Sequence, residues 1–319
     1  MLKMNWTLPV FGLALAFALV PRTTGAQQEP DADFNTAITH PAWTESHPRV
    51  LFDEAHNNFH KASGRYKPFA DLMTHDGFEI VPGPEAFRRE SLDGYDILVI
   101  SNARPNNRPV GLHVDPAFRP EECDAVREWV RGGGGLLLIA DHWPMNAAAA
   151  AMAERFGVES GRLGFVSDSL HAEPGSGDPS QLVFTRENGL LGKHPITEGR
   201  NPEERIDRVV SFTGQSLRGP KGSTAFLGLS PSAVDETAPD IMGDAIAEIP
   251  PAERRVSAAG RAQGLAFTYG KGRVVVLGEA AMMTAQRHGE ERFGMNSPGN
   301  QNRQLALNIM HWLSGILPE

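Results

Sequence analysis

The sequence predicts an α/β fold built on a mostly parallel sheet with a β-rich insertion. Three observations predict it. Short apolar runs alternate with stretches of helical periodicity from residue 49 to 156. The alternation returns from about residue 260 to the end. The strand-like runs are unbroken apolar stretches, as expected for strands buried on both faces rather than wetted on one.

Taken in order, Arg49–Asp53 (RVLFD) reads as a buried strand ending in polar residues. Tyr66–His75 carries Phe69, Leu72 and Met73 at helical spacing and stops at Gly77. Phe78–Val81 is a second strand, ended by Pro82, Gly83 and Pro84. Tyr95–Ser101 is a third. Glu121–Arg131 is helical, with Cys123, Val126, Trp129 and Val130 on one stripe. The glycines 132–135 turn that helix into a fourth strand, Leu136–Ala140. They precede a strand rather than follow one, so a phosphate cradle is not expected there. Ala147–Phe156 is an Ala-rich helix. From residue 157 to about 259 the chain is rich in Gly, Pro, Ser and Asp, with short scattered strands at Leu182–Phe184, Val209–Phe212 and Ala225–Leu227. This stretch reads as the insertion. Gly264–Tyr269 and Arg273–Leu277 flank Gly270-Lys271-Gly272 as a hairpin, and a final helix runs over Asn302–Leu313.

Composition narrows the function classes. The 319 residues carry 30 Lys+Arg against 39 Asp+Glu, a net charge of −9. No nucleic-acid partner is expected, because backbone binding needs clustered cations. One cysteine excludes an internal disulfide and Cys-rich metal sites. Residues 1–26 read as a secretory signal peptide: Lys3, then the apolar run Leu8–Val20, then the small residues Thr24, Gly25 and Ala26. The apolar run is shorter than the roughly 20 residues that cross a bilayer. Cleavage would remove Lys3 and Arg22 and no acid, leaving 28 cationic against 39 acidic side chains, or −11. A periplasmic or secreted location is expected, with no stable membrane span after cleavage. Residues 27–47, polar and carrying Pro30 and Pro41, read as a linker or loosely attached arm before a single domain at 48–319.

Chemistry-bearing residues gather where the strands end. In open parallel sheets ligands bind beyond the carboxyl ends of the strands. The first strand runs into Asp53, Glu54, His56 and Asn57; the third into Asn102; the fourth into Asp141 and His142; the last into Glu279, with Gln286 close behind. Asp53, His56, Asp141, His142 and Glu279 are therefore the candidate catalytic residues, and Glu54, Asn57, Asn102, Gln286 and Asn300 the candidate ligand contacts. Carboxylates beside imidazoles suit general acid–base work, and paired carboxylates of unequal burial can divide the acid and base roles. The same groups suit a divalent metal ion, and His56 and His60 stand four apart, although Gly64 and the lack of apolar periodicity argue against a helix there. Each residue also has a plain structural reading. Asp53 can cap a turn, His56 can be a satisfied loop histidine, Asp141 can accept backbone N–H bonds, and Glu279 can favour a helix start. Asn300 can line the rim or simply begin the last helix. No GxSxG elbow follows a strand, and Cys123 lies on a buried helical stripe.

The segments VLFDEAHN (50–57), YDILVISN (95–102), EWVRGGGGLLLIAD (128–141) and GRVVVLGE (272–279), with the ending from Gly299 to Leu313, resemble the class I glutamine amidotransferase-like superfamily. Within it they are most similar to an exported branch carrying a domain of unassigned function, related to ThuA-like proteins and to the soluble domains of gliding-motility transport auxiliaries. The resemblance covers most of 48–156 and 260–315. It implies a flavodoxin-like three-layer sandwich. It does not carry the amidotransferase reaction over. The family places its nucleophilic Cys on an elbow after the fourth strand, where this chain has Ala140-Asp141-His142. Two readings follow: a hydrolase-like enzyme using the Asp/His/Glu cluster, or a noncatalytic module holding a polar small molecule or carbohydrate at the same rim.

Overall fold

The computed structural model describes residues 28–161 and 164–318. The expected signal peptide lies outside the described residues.

The chain builds β1 (Arg49–Asp53), α1 (Lys67–His75), β2 (Glu79–Gly83), β3 (Ile97–Ser101), α2 (Pro120–Gly132), β4 (Gly135–Ile139), α3 (Met145–Glu154), β5 (Ala262–Tyr269), β6 (Gly272–Leu277) and α4 (Asn302–Leu313). The central sheet runs β2-β1-β3-β4-β6-β5. The first five of these are mutually parallel, and β5 returns antiparallel to β6 through the expected hairpin. Taken alone, the parallel strands have the 2-1-3-4-5 order of flavodoxin-like folds.

Pleating sorts the strand residues between two helical layers. Val50, Phe52, Ile97, Val99, Leu137, Ile139, Val275 and Leu277 pack with α1 and α4. Leu51, Leu98, Ile100, Leu136, Leu138, Val274 and Val276 pack with α2 and α3. Three layers result. Cys123 packs in the second cluster, and burial pushes its thiol up to about 11, so it carries little thiolate at neutral pH. At the turn from α2 to β4, a side chain on Gly134 would meet the Trp129 ring at 2.6 Å.

One expectation needs correction. Residues 29–43 are not a loose arm. Glu29 and Pro30 pair with Arg287 and Gln286 as an edge strand, the Ala42 N–H donates to Asp76 Oδ1 at 2.9 Å, and Trp43 packs edge-on against Phe78. Asp76 is itself held by His311 Nε2 at 2.6 Å, which ties the arm to α4. The insertion at 157–259 adds to the sheet. Glu159–Ser160, Leu217–Arg218 and Thr224–Gly228 extend it beyond β5, and Val166, Phe184, Val209 and Phe226 join the core beside α4.

Candidate active site

The carboxyl ends of β3, β4 and β6 open onto a cavity of about 780 Å³. Strand register explains which side chains reach it. Ser101 of β3 and Leu277 of β6 both pair with Ile139 of β4. Asp141 and Glu279 each lie two residues past that rung. They therefore share its parity and fall on the α1/α4 side of the sheet. Both line the cavity, with Asn102, His142 and Gln286.

Asp141 is held by Asn102. The Asp141 N–H donates to Asn102 Oδ1 at 2.8 Å, and Asn102 Nδ2 lies 3.4 Å from Asp141 Oδ2. Asn102 adopts φ +46°, a left-handed backbone that Asn tolerates better than most residues, and this turns its amide back toward β4. The His142 N–H donates to Asp141 Oδ1 at 3.0 Å. His142 Nδ1 donates to the Trp143 carbonyl at 2.8 Å, which leaves Nε2 as the basic nitrogen of the neutral ring. Glu279 is almost fully buried, and its two oxygens accept the Ala281 and Met282 N–H groups. Tyr66 Oη donates to the Ala280 carbonyl at 2.8 Å and steadies the same loop.

Burial raises the Asp141 carboxyl above its ordinary range. Burial, and then the charge of Asp141, push Glu279 well above its own, against the pull of its backbone donors. Burial and their mutual charge disfavour ionising both carboxyls together, so the pair gives up its second proton less readily, with Glu279, the more buried of the two, as its main keeper.

Asp53 and His56, expected at the same rim, belong elsewhere. Asp53 follows Phe52, whose partner is Val99, so its parity is opposite to that of Ser101 and it points into the α2/α3 layer. There Asp53 Oδ1 accepts His56 Nδ1 at 2.8 Å, and Glu122 Oε1, from α2, accepts His56 Nε2 at 2.9 Å. Phe87 and Phe118 flank the ring with centroids 4.6 Å away. Both acceptors are carboxylates, so both ring nitrogens carry hydrogen and the ring is an imidazolium. Burial pulls its pKa down, but the bonds and charges of Asp53 and Glu122 outweigh that and raise it above 6.5. A ring with neither nitrogen available is a structural clamp, not a catalytic base.

The other candidates divide similarly. Glu54 Oε1 accepts the Ala62 N–H, and Asn57 bonds Pro105 and Arg104 beside the sheet end. Asn300 caps the start of α4 through the Asn302 N–H. None of the three lines the cavity. His56 and His60 are not a metal pair. His60 turns to the opposite face, against Tyr66, with Nδ1 3.0 Å from Ser101 Oγ. Burial and the cations Arg65 and Arg104 drive His60 down to about 3, so it lines the cavity as a neutral ring. Among the described residues no group of three or more His, Cys, Asp or Glu side chains is placed to hold a metal ion. Sequence reasoning missed Phe59 and Arg65 on the loop after β1, and Arg292 and Phe293 on the hairpin that covers the cavity; His288 of that hairpin, which follows Gln286 closely in sequence, lines it as well. They come from loops whose course no periodicity encodes.

Fold and site together define a flavodoxin-like α/β protein with a carboxylate pair beyond its strand ends. The mmIFT52 N-terminal domain is similar, with a TM-score of 0.58 at 13% identity over 83% of this chain and 97% of that one. A putative ThuA-like protein from Bacteroides uniformis ATCC 8492 gives a TM-score of 0.44 at 16% identity, covering 86% of this chain and 95% of its own. A putative GMP synthase protein from Thermoplasma acidophilum gives 0.43 at 13% identity, covering 86% and 97%. At these identities the first likeness concerns the fold alone. No family model matches the chain, and no curated protein matches it. Among the described residues no helix is long and apolar enough to cross a membrane.

Proposed function

We propose that the protein is an exported, hydrolase-like enzyme acting on a polar small molecule at this cavity. One observation carries the reading: two carboxyls with raised pKa values line a cavity of about 780 Å³, one partly exposed and one almost fully buried. Such a pair divides acid from base. Asp141, the more exposed member, takes a proton from water as the water oxygen bonds to the substrate's electrophilic carbon. Glu279 gives its proton to the departing heteroatom. The proton then returns from Asp141 to Glu279.

The test is purified mature protein against ester, amide and glycoside substrates. Turnover of one class is expected, sensitive to Asp141→Asn. A protein that binds such molecules and turns none over would instead be the binding module. One observation favours that second reading: both Glu279 oxygens are already occupied by backbone donors.

Export rests on residues 1–26. In a Gram-negative host the periplasmic form is expected to begin at Gln27, read by intact mass and N-terminal sequencing. A cytoplasmic, full-length product would remove this part of the proposal.

A further inference from the structure

We infer that the cavity takes a small polyhydroxylated anion, with its acidic group against Arg65 at the mouth and a hydroxyl against Gln286 deeper in. The inference rests on the cavity proposed above as the functional site, but not on its being catalytic.

Two observations carry it. The first is Arg65. It lines the cavity, and its guanidinium lies 4.3 Å over the face of Phe59, an aromatic ring 40% exposed. Its hydrogen bond runs to a neutral group, Gln28 Oε1, at 3.2 Å. Among the described residues no carboxylate lies within ion-pair distance of it. In a chain with nine more acids than bases, a half-buried guanidinium left without an anion is unusual. Burial also lowers its pKa, the mark of a charge that its surroundings do not compensate. The other guanidinium at the cavity, Arg292, already has Asp31 Oδ2 at 3.7 Å. Planar guanidinium groups bind carboxylate and phosphate in a fork.

The second observation is Gln286. It is 2% exposed and lines the same cavity. Its Nε2 donates to Thr284 Oγ1 at 2.7 Å, but its Oε1 has no partner. A buried acceptor left unpaired destabilises its surroundings, and a hydroxyl donor on a ligand would relieve that. The anionic end must stay near the mouth, because the Asp141–Glu279 pair still carries negative charge deeper in. Exposed Gln28 and Phe59 place Arg65 at that mouth, and buried Gln286 and Glu279 mark the interior. A ligand with an acidic group at one end and hydroxyls at the other satisfies both. Sugar acids and sugar phosphates share that chemistry.

The test is calorimetric titration of the mature protein with glucose, glucuronate and glucose 6-phosphate. At least one of the two anions is expected to bind ten times or more tighter than glucose, and which of them does so identifies the acidic group. Arg65→Gln is expected to abolish that preference, bringing both anions to the affinity of glucose, and Arg65→Lys to restore part of it. Gln286→Met is expected to weaken anion and neutral sugar by the same factor. Melting curves of each variant establish that it is folded. Equal binding of all three probes, no binding of any, or a preference that survives Arg65→Gln in folded protein would overturn the inference. Absence of turnover would not, because the preference is read from binding alone.

Discussion

Replacing His56 by alanine is expected to cost about 3–5 kcal/mol of stability, the loss found when one member of a buried ion pair is removed. The two carboxylates that clamp the ring, Asp53 and Glu122, are themselves buried and would face each other without their cation. The clamp joins the end of β1 to the first turn of α2, so the loss falls on the contact between sheet and helical layer. The pH dependence follows from the direction of each shift. The His56 pKa is raised, so its stabilisation is complete below 6.5 and is lost as pH climbs through the higher folded-state value. The Glu122 pKa is lowered, because its backbone and His56 bonds together outweigh burial. Its contribution is complete above 4.5 and is lost as pH falls through the lower folded-state value. The clamp should be strongest between those two ordinary values, and His56→Ala should flatten the wild-type fall in stability above neutrality. Urea unfolding at pH 5.5, 7 and 9 measures both effects. A cost below 1 kcal/mol, or an unchanged slope with pH, would show that the triad is not the clamp described.

The same triad shows what the sequence makes legible. Strand positions and their parallel pairing follow from apolar runs, and strand ends follow from the polar residues after them. The layer to which an end residue turns depends on register, a property of two strands at once. Asp141 and Glu279 each stand two places beyond the Ile139–Leu277 rung, so once β4 and β6 are known neighbours their common side follows. Asp53 looks equivalent in one dimension, but it is one place off that parity, and one place is enough to move a side chain through the sheet. In one dimension His60 is visible only as half of an HxxxH spacing. Its approach to Ser101 from the other side depends on the loop after β1. The loop and hairpin residues around the cavity carry no periodic signal at all. Arg65 becomes informative only when its lack of a carboxylate partner is visible, which requires coordinates. Compact linker segments are hard to read for a similar reason. The polar composition of residues 27–47 marks an irregular path, and only the pairing with Arg287 and the bond to Asp76 show that the path is bound.

Asp141→Asn is expected to lower kcat/KM by about 10²–10⁴, the range that a positioned general base contributes. The substitution is close to isosteric, and the Asn102 Oδ1 contact to the residue 141 N–H survives it, so the fold should persist. The wild-type pH profile should be bell-shaped. Its rising limb reports ionisation of the pair's first proton, at a pH above the ordinary aspartate value because burial raises Asp141. Its falling limb reports loss of the proton that Glu279 keeps, higher still. Linkage gives a second reading of the same groups. Raised carboxyl pKa values mean that the folded state holds protons the unfolded chain releases, so the pair costs stability as pH rises through the folded-state values. With one acid removed, Glu279 loses the charge that opposes its ionisation, and the variant should melt closer to its acidic Tm at pH 9 than wild type does. A structural carboxylate in this position would alter the melting curve without touching turnover. Turnover unaffected by Asp141→Asn, or an acidic limb at the ordinary carboxylate value, would remove Asp141 from the chemistry and leave the cavity as a place that holds its ligand without changing it.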